Sequence, residues 1–62
     1  MKPPCRKGWR HGKAADMDPV QLRAGIKVER EHFRDARRAC RTAVDHLAED
    51  KAYYRKLRKA GL

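Results

Sequence analysis

Seven side chains, Leu22, Ile26, Phe33, Ala36, Cys40, Val44 and Leu47, keep one helical phase without a slip. At roughly 100° per residue they fall within an arc of about 80°. A lone rod with such a stripe would leave it wet, so the chain has to fold back on itself or pair with another. Periodicity alone would permit a single long helix. Breaks are expected at Asp35 and at Glu49-Asp50, where a short acidic side chain can cap a new start and the sign of the local charge changes. The expected architecture is therefore all-α, a small three-helix bundle with helices near 18–33, 35–48 and 50–60.

The outer ends are the most legible. Asp18 can cap the first free amides, Pro19 suits the first helical position, and Gln21 stands where a capping box would reach back. Met17 and Leu22 have the spacing of a hydrophobic staple. At the other end Gly61 fits a left-handed C′ position, with Leu62 placed to pack on Leu57. Lys56, Arg58 and Lys59 suit the negative end of the last helix. Gly25, inside a helix, costs about 1 kcal/mol relative to Ala and points to close approach by another helix.

Size limits what this bundle can do. Of 62 residues 25 are hydrophobic, but nine of these are Ala, leaving 16 larger apolar groups. A core of that size rarely supplies more than roughly 3–5 kcal/mol, and a deep substrate pocket is not expected. The chain has no Ser and no Asn, which removes a serine nucleophile and a glycosylation sequon. No apolar run approaches the roughly 20 residues of a membrane span, and Met1-Lys2-Pro3-Pro4 leads into no apolar stretch of a secretory signal.

Charge divides the chain. Residues 1–15 carry five basic groups and no acid, whereas residues 16–62 carry 12 basic and eight acidic groups. Pro3, Pro4, Gly8 and Gly12 add to the case against intrinsic structure in the first segment. Residues 1–16 are thus expected to form an extended basic arm, disordered unless bound, ahead of a helical domain at 17–62. Cys5 and Cys40 could form one bridge, but a cytosolic product would keep both reduced. On that basis Cys5 is a free tail thiol, or a cross-link to a partner, and Cys40 a small hydrophobe in the stripe.

The run Gly25-Ile26-Lys27-Val28-Glu29-Arg30-Glu31-His32, then Asp35, then Thr42-Ala43-Val44-Asp45-His46-Leu47-Ala48-Glu49-Asp50, then Tyr53-Tyr54 and Leu57, resembles a family of small helical proteins. That family is seen largely in tailed phages and bacteria, and its function is not established. The resemblance covers about residues 19–62 and leaves the basic segment outside. The family usually has Pro where this chain has Lys51, which weakens the break before the third helix, and Ile where it has Val44.

Few residues could carry chemistry. Glu29-x-x-His32 and His46-x-x-Glu49 are spaced as metal-binding pairs. If the chain folds back around Arg34-Asp35, however, His46 lies roughly 16 Å beyond the turn, so the pairs do not meet within one chain. The histidines are expected to bond carboxylates or backbone at helix junctions, and Tyr53-Tyr54 to be core and rim. No histidine stands at helical contact spacing from Cys40, so nothing activates it as a nucleophile. No catalytic residue, metal or cofactor is assigned.

Two basic groups remain as candidate binding residues. One is the arm, with Lys2, Arg6, Lys7, Trp9, Arg10 and Lys13, in which an aromatic ring is interleaved with cations. Such a segment can stack on bases or seat a Trp anchor in a protein pocket. The other is a ridge of Arg30, Arg34, Arg37, Arg38 and Arg41 within an arc of about 100° beside the apolar stripe, suited to phosphates or an acidic surface. Asp35-Arg38 and Arg41-Asp45 have the spacing to pair within it. The expected function is that of a non-enzymatic accessory or cementing component of a tailed-phage virion, in the particle or the host cytoplasm. Its partners would be larger structural proteins, with no membrane and no small-molecule substrate. The alternative is a small nucleic-acid-binding protein using the arm and the ridge. A helix-turn-helix reading has only Gln21 and Arg23 to offer as base readers.

Overall fold

Asp18 and Asp35 each start a helix. The structure, a computed structural model, describes residues 3–10 and 12–61. It places α1 at Pro19–Glu29, α2 at Ala36–Glu49 and α3 at Tyr53–Lys59, after a single 3-10 turn at Ala14–Asp16. The three-helix bundle expected from the stripe is what forms. The Asp18 carboxylate accepts from the Val20 amide at 2.8 Å and the Gln21 amide at 3.4 Å, with Pro19 behind it. Gln21 thus enters the cap through its backbone. Asp35 accepts from the Arg37 amide at 2.9 Å.

α1 stops at Glu29, short of the expected residue 33. The chain tightens there: the amides of Glu31 and His32 donate to the carbonyls of Val28 and Glu29 at 3.2 and 3.0 Å. The Phe33 amide still reaches the Glu29 carbonyl at 2.9 Å, which keeps Phe33 half-buried on the stripe although the regular helix has ended. The third helix begins at Tyr53 because Asp50 does the turning. Its carboxylate accepts from the Ala52 amide at 2.9 Å and from the Lys56 ammonium at 2.7 Å, and its carbonyl from the Tyr53 amide at 3.0 Å. The Lys56 hydrogen bond first, then the Ala52 amide, hold the Asp50 carboxyl below its ordinary range. The turn therefore closes with Lys51 in the place of a proline. Gly61 has φ +79° beyond the end of α3, as a left-handed C′ residue should. The expected packing of Leu62 lies outside the described residues.

α1 packs chiefly on α2, and α3 touches both. Ala39, Cys40, Ala43, Val44 and Leu47 of α2 are buried between Leu22 of α1 and Tyr54 of α3. The Tyr54 ring lies directly on Gly25. A Cβ there would stand 2.8 Å from Cδ2 and 2.9 Å from Cζ of the ring, nearer than carbon atoms tolerate. Glycine accepts its propensity cost in mid-helix because no larger residue lets α3 approach.

The N-terminal segment corrects two expectations. Its described part is neither an extended arm nor loose: Cys5 and Cys40 form a disulfide across 35 positions, with Cα atoms 5.8 Å apart. Neither cysteine is reduced, and Cys5 is buried rather than a free tail thiol. Beyond it the Ala14 amide donates to the Arg6 carbonyl at 2.7 Å and the Gly8 amide to the Gly12 carbonyl at 2.9 Å, and Lys7 and Lys13 form an antiparallel bridge. A Cβ on Gly8 would lie 3.0 Å from the Arg41 carbonyl oxygen, so the backbone itself rests on α2. Composition misleads here because it counts side chains. A glycine backbone needs no apolar side chain to pack, and closing a loop of this length by a cross-link is worth about 4 kcal/mol on the chain-entropy account. The radius of gyration, 10.3 Å, matches the roughly 11 Å of a compact chain this long. No helix among the described residues is long and apolar enough to cross a membrane.

Candidate interaction face

Residues 37, 41, 45 and 49 succeed one another at four-residue steps and so share one side of α2. The closed loop from Arg6 to Ala14 lies along this side. At its tip the Arg10 amide donates to the Asp45 carboxylate at 3.3 Å, and the Arg10 guanidinium donates to Glu49 at 2.6 Å. Just before it the Trp9 ring sits with its centroid 4.7 Å from the Arg41 guanidinium carbon. Trp9 is nevertheless 55% exposed, whereas the Arg41 Nε is buried with no hydrogen-bond partner among the described residues.

The contact of Trp9 with Arg41 thus brings the N-terminal loop onto the arginine side of α2. Arg6, Lys7 and Lys13 of the loop are exposed and form no ion pair among the described residues. Arg10 differs, since its charge is spent on Glu49. Of the ridge, Arg30, Arg34 and Arg37 are exposed and Arg38 lies 5.8 Å from the Phe33 centroid. Arg41 is half-buried with its guanidinium against the Trp9 ring. Neither Asp35-Arg38 nor Arg41-Asp45 pairs among the described residues, because Asp35 caps α2 and Asp45 receives the Arg10 amide. Lys2 lies outside the described residues.

A second cluster ties the three helices together. Glu29 of α1 is buried and accepts from the Tyr54 hydroxyl of α3 at 3.0 Å, while His46 Nε2 of α2 stands 3.7 Å away. His46 stacks on Tyr53 with 4.2 Å between centroids, and Tyr54 meets both rings edge-on. Burial first, then the Glu29 charge, push the Tyr54 hydroxyl well above the usual phenol range. One member of each proposed metal pair therefore meets the other, but His32 is exposed and Glu49 is held by Arg10, so the full pairs do not assemble. His46 sits at the helix junction as expected, though 3.7 Å from Glu29 is beyond hydrogen-bond reach, whereas the exposed His32 side chain forms no such bond among the described residues. Among the described residues no three metal-binding side chains come together.

A surface cleft of about 600 Å³ opens between the start of α1 and the junction of α2 with α3. Asp16 and Asp18 stand on one wall and Lys51 and Arg55 on the other, over Met17 and Leu47, so its charges balance within the molecule. Nothing in it pairs a nucleophile with a base.

Sequence reasoning missed Asp45 and Glu49 as anchors of the loop. The signal was present: two acids one turn apart on the side of α2 otherwise lined by arginine invite a basic segment to lie there. It missed the Glu29, His46 and Tyr54 cluster because no local spacing announces contacts between residues 25 positions apart.

These features define a small, all-α, disulfide-closed three-helix bundle with a basic, tryptophan-bearing loop folded on its second helix. The chain belongs to the DUF5661 family, proteins of unknown function, whose model matches residues 6–61. The match starts at Arg6, so the basic loop falls within the family domain and not outside it as the resemblance over 19–62 implied. No curated protein and no solved structure matches the chain.

Proposed function

We propose that this is a non-enzymatic interaction protein that docks through the Trp9 face onto an acidic surface of a larger structural protein. The observation that carries the reading is the half-exposed Trp9, fixed over Arg41 in a loop closed by hydrogen bonds and a disulfide and flanked by the unpaired cations Arg6, Lys7 and Lys13. An aromatic anchor ringed by positive charge is a recurrent centre of protein interfaces, and one held in place beforehand loses little entropy on docking. The setting we propose is a tailed-phage virion, with the chain as an accessory or cementing subunit. The phage setting comes from the resemblance, and the disulfide suits a protein that works outside a reducing cell.

The second reading is a nucleic-acid-binding protein, favoured by the half-exposed Trp9 ring on Arg41 and by the exposed Arg37 one turn from Arg41 on α2. Co-sedimentation with purified particles and binding to single- and double-stranded DNA, each with wild type and Trp9→Ala, separates the two. Docking on protein predicts retention on particles that Trp9→Ala abolishes, and DNA binding that is weak, steeply salt-dependent and unchanged by the substitution. Absence from particles together with Trp9-dependent DNA binding would favour the second reading.

A further inference from the structure

Independent of the Trp9 reading, and lined by neither Trp9 nor Arg41, α1 borders a small apolar groove of about 240 Å³. Its floor is Leu22, Ile26 and Ala36, and Pro3, Pro4 and Pro19 wall it in. Arg23 and Arg30 stand at its rim, seven residues apart and so about 10 Å along the helix axis, on either side of Ile26. Both are exposed, and among the described residues neither forms an ion pair and no acid lines the groove.

We propose that this groove is a second docking site, which takes an acidic peptide segment of a partner protein by one apolar anchor side chain. Its volume lies below the roughly 300–1,000 Å³ of small-molecule sites and suits a side chain. The cations at the rim select acids beside that anchor, as charge complementarity requires. Pro3 and Pro4 have fixed φ and stand within two residues of the Cys5–Cys40 bond, so the wall is set before anything binds. A strand of nucleic acid is a poor occupant because, among the described residues, no aromatic lines the groove to stack on a base. A second copy is disfavoured because it would set Arg23 and Arg30 against another chain of net charge +9. With the Trp9 face, the groove would let one small chain hold two partners.

Selection of a random displayed-peptide library on the oxidised protein tests this. Enriched peptides are expected to carry one large apolar residue flanked by Asp or Glu, and synthetic copies to shift the methyl resonances of Leu22, Ile26 and Ala36 saturably. Arg23→Glu with Arg30→Glu should weaken those peptides by about tenfold or more through like-charge repulsion, and Arg34→Glu with Arg37→Glu should leave them nearly unchanged. The proposal fails if no peptide is enriched, if the winners lack acids, if their shifts map to Trp9, or if both double variants weaken binding equally. It also fails if dilution of the free protein moves the groove methyls, which marks self-association, or if a single-stranded oligonucleotide shifts them more than any peptide. The Trp9→Ala comparison reads neither result, so the two docking readings stand or fall separately.

Discussion

The Trp9 ring lies over the Arg41 guanidinium, 4.7 Å from centroid to carbon, and this contact joins the N-terminal loop to the arginine side of α2. A cation held on an indole face at a partly exposed site contributes about 0.5–1 kcal/mol. Arg41→Ala should lower stability by about that amount in urea unfolding and change the Trp9 emission, since the cation on the indole face is lost. Arg41→Lys should restore less than half of the loss, because an ammonium does not stack as a planar guanidinium does. Full rescue by Lys would mean that charge alone matters.

Removing the Cys5–Cys40 bond should cost about 4 kcal/mol by its loop length, comparable with everything a core this small provides. Circular dichroism with and without reductant is expected to show a large fall in the unfolding midpoint, and the Cys5→Ala, Cys40→Ala double variant should match the reduced protein. Equal stability of the oxidised and reduced chains would contradict the role given to the cross-link.

Tyr54 makes stability sensitive to alkali. Burial and the neighbouring Glu29 raise its folded pKa above the ordinary value of 10.0 that it has when unfolded. The folded state thus keeps a proton that the unfolded state gives up. Its stabilising contribution is complete below pH 10 and declines as pH rises beyond it. Tyrosinate absorbance from Tyr54 should appear together with loss of helical signal. In Tyr54→Phe the buried Glu29 loses its hydroxyl donor, which costs about 1–3 kcal/mol at neutral pH, while the alkaline decline becomes shallower.

Gly25→Ala should destabilise even though alanine is the better helix former by about 1 kcal/mol. The added methyl meets a Tyr54 ring that cannot withdraw, being buried and hydrogen-bonded to Glu29. Overpacking costs about 1–3 kcal/mol, so a net loss of up to about 2 kcal/mol is expected after the propensity gain, measured by thermal melting. An unchanged or higher melting temperature would show that α3 yields at this contact.

The helices were legible because their signals are local. Asp18 and Asp35 bond amides two or three residues ahead, and the Cys40, Val44 and Leu47 stripe needs only its own period to be seen. The end of α1 was harder to read, since the tightened turn at 30–32 leaves Phe33 in phase. The N-terminal loop was misread because what holds it is distant: Cys5 meets a residue 35 positions on, and Arg10 meets Asp45 and Glu49. Of the candidate site, Arg6, Lys7, Trp9 and Lys13 lie exposed on one loop. The partnership of Trp9 with Arg41 depends on how the loop lies on α2, which no periodicity encodes.

The central claim is that the Trp9 face is already built in the isolated, oxidised chain. Amide hydrogen exchange at Gly8 and Ala14, which donate to Gly12 and Arg6, measures that directly. Slow exchange at both sites, lost on reduction of the disulfide, is the predicted result; exchange as fast as in an unstructured peptide while the helices stay protected would contradict it.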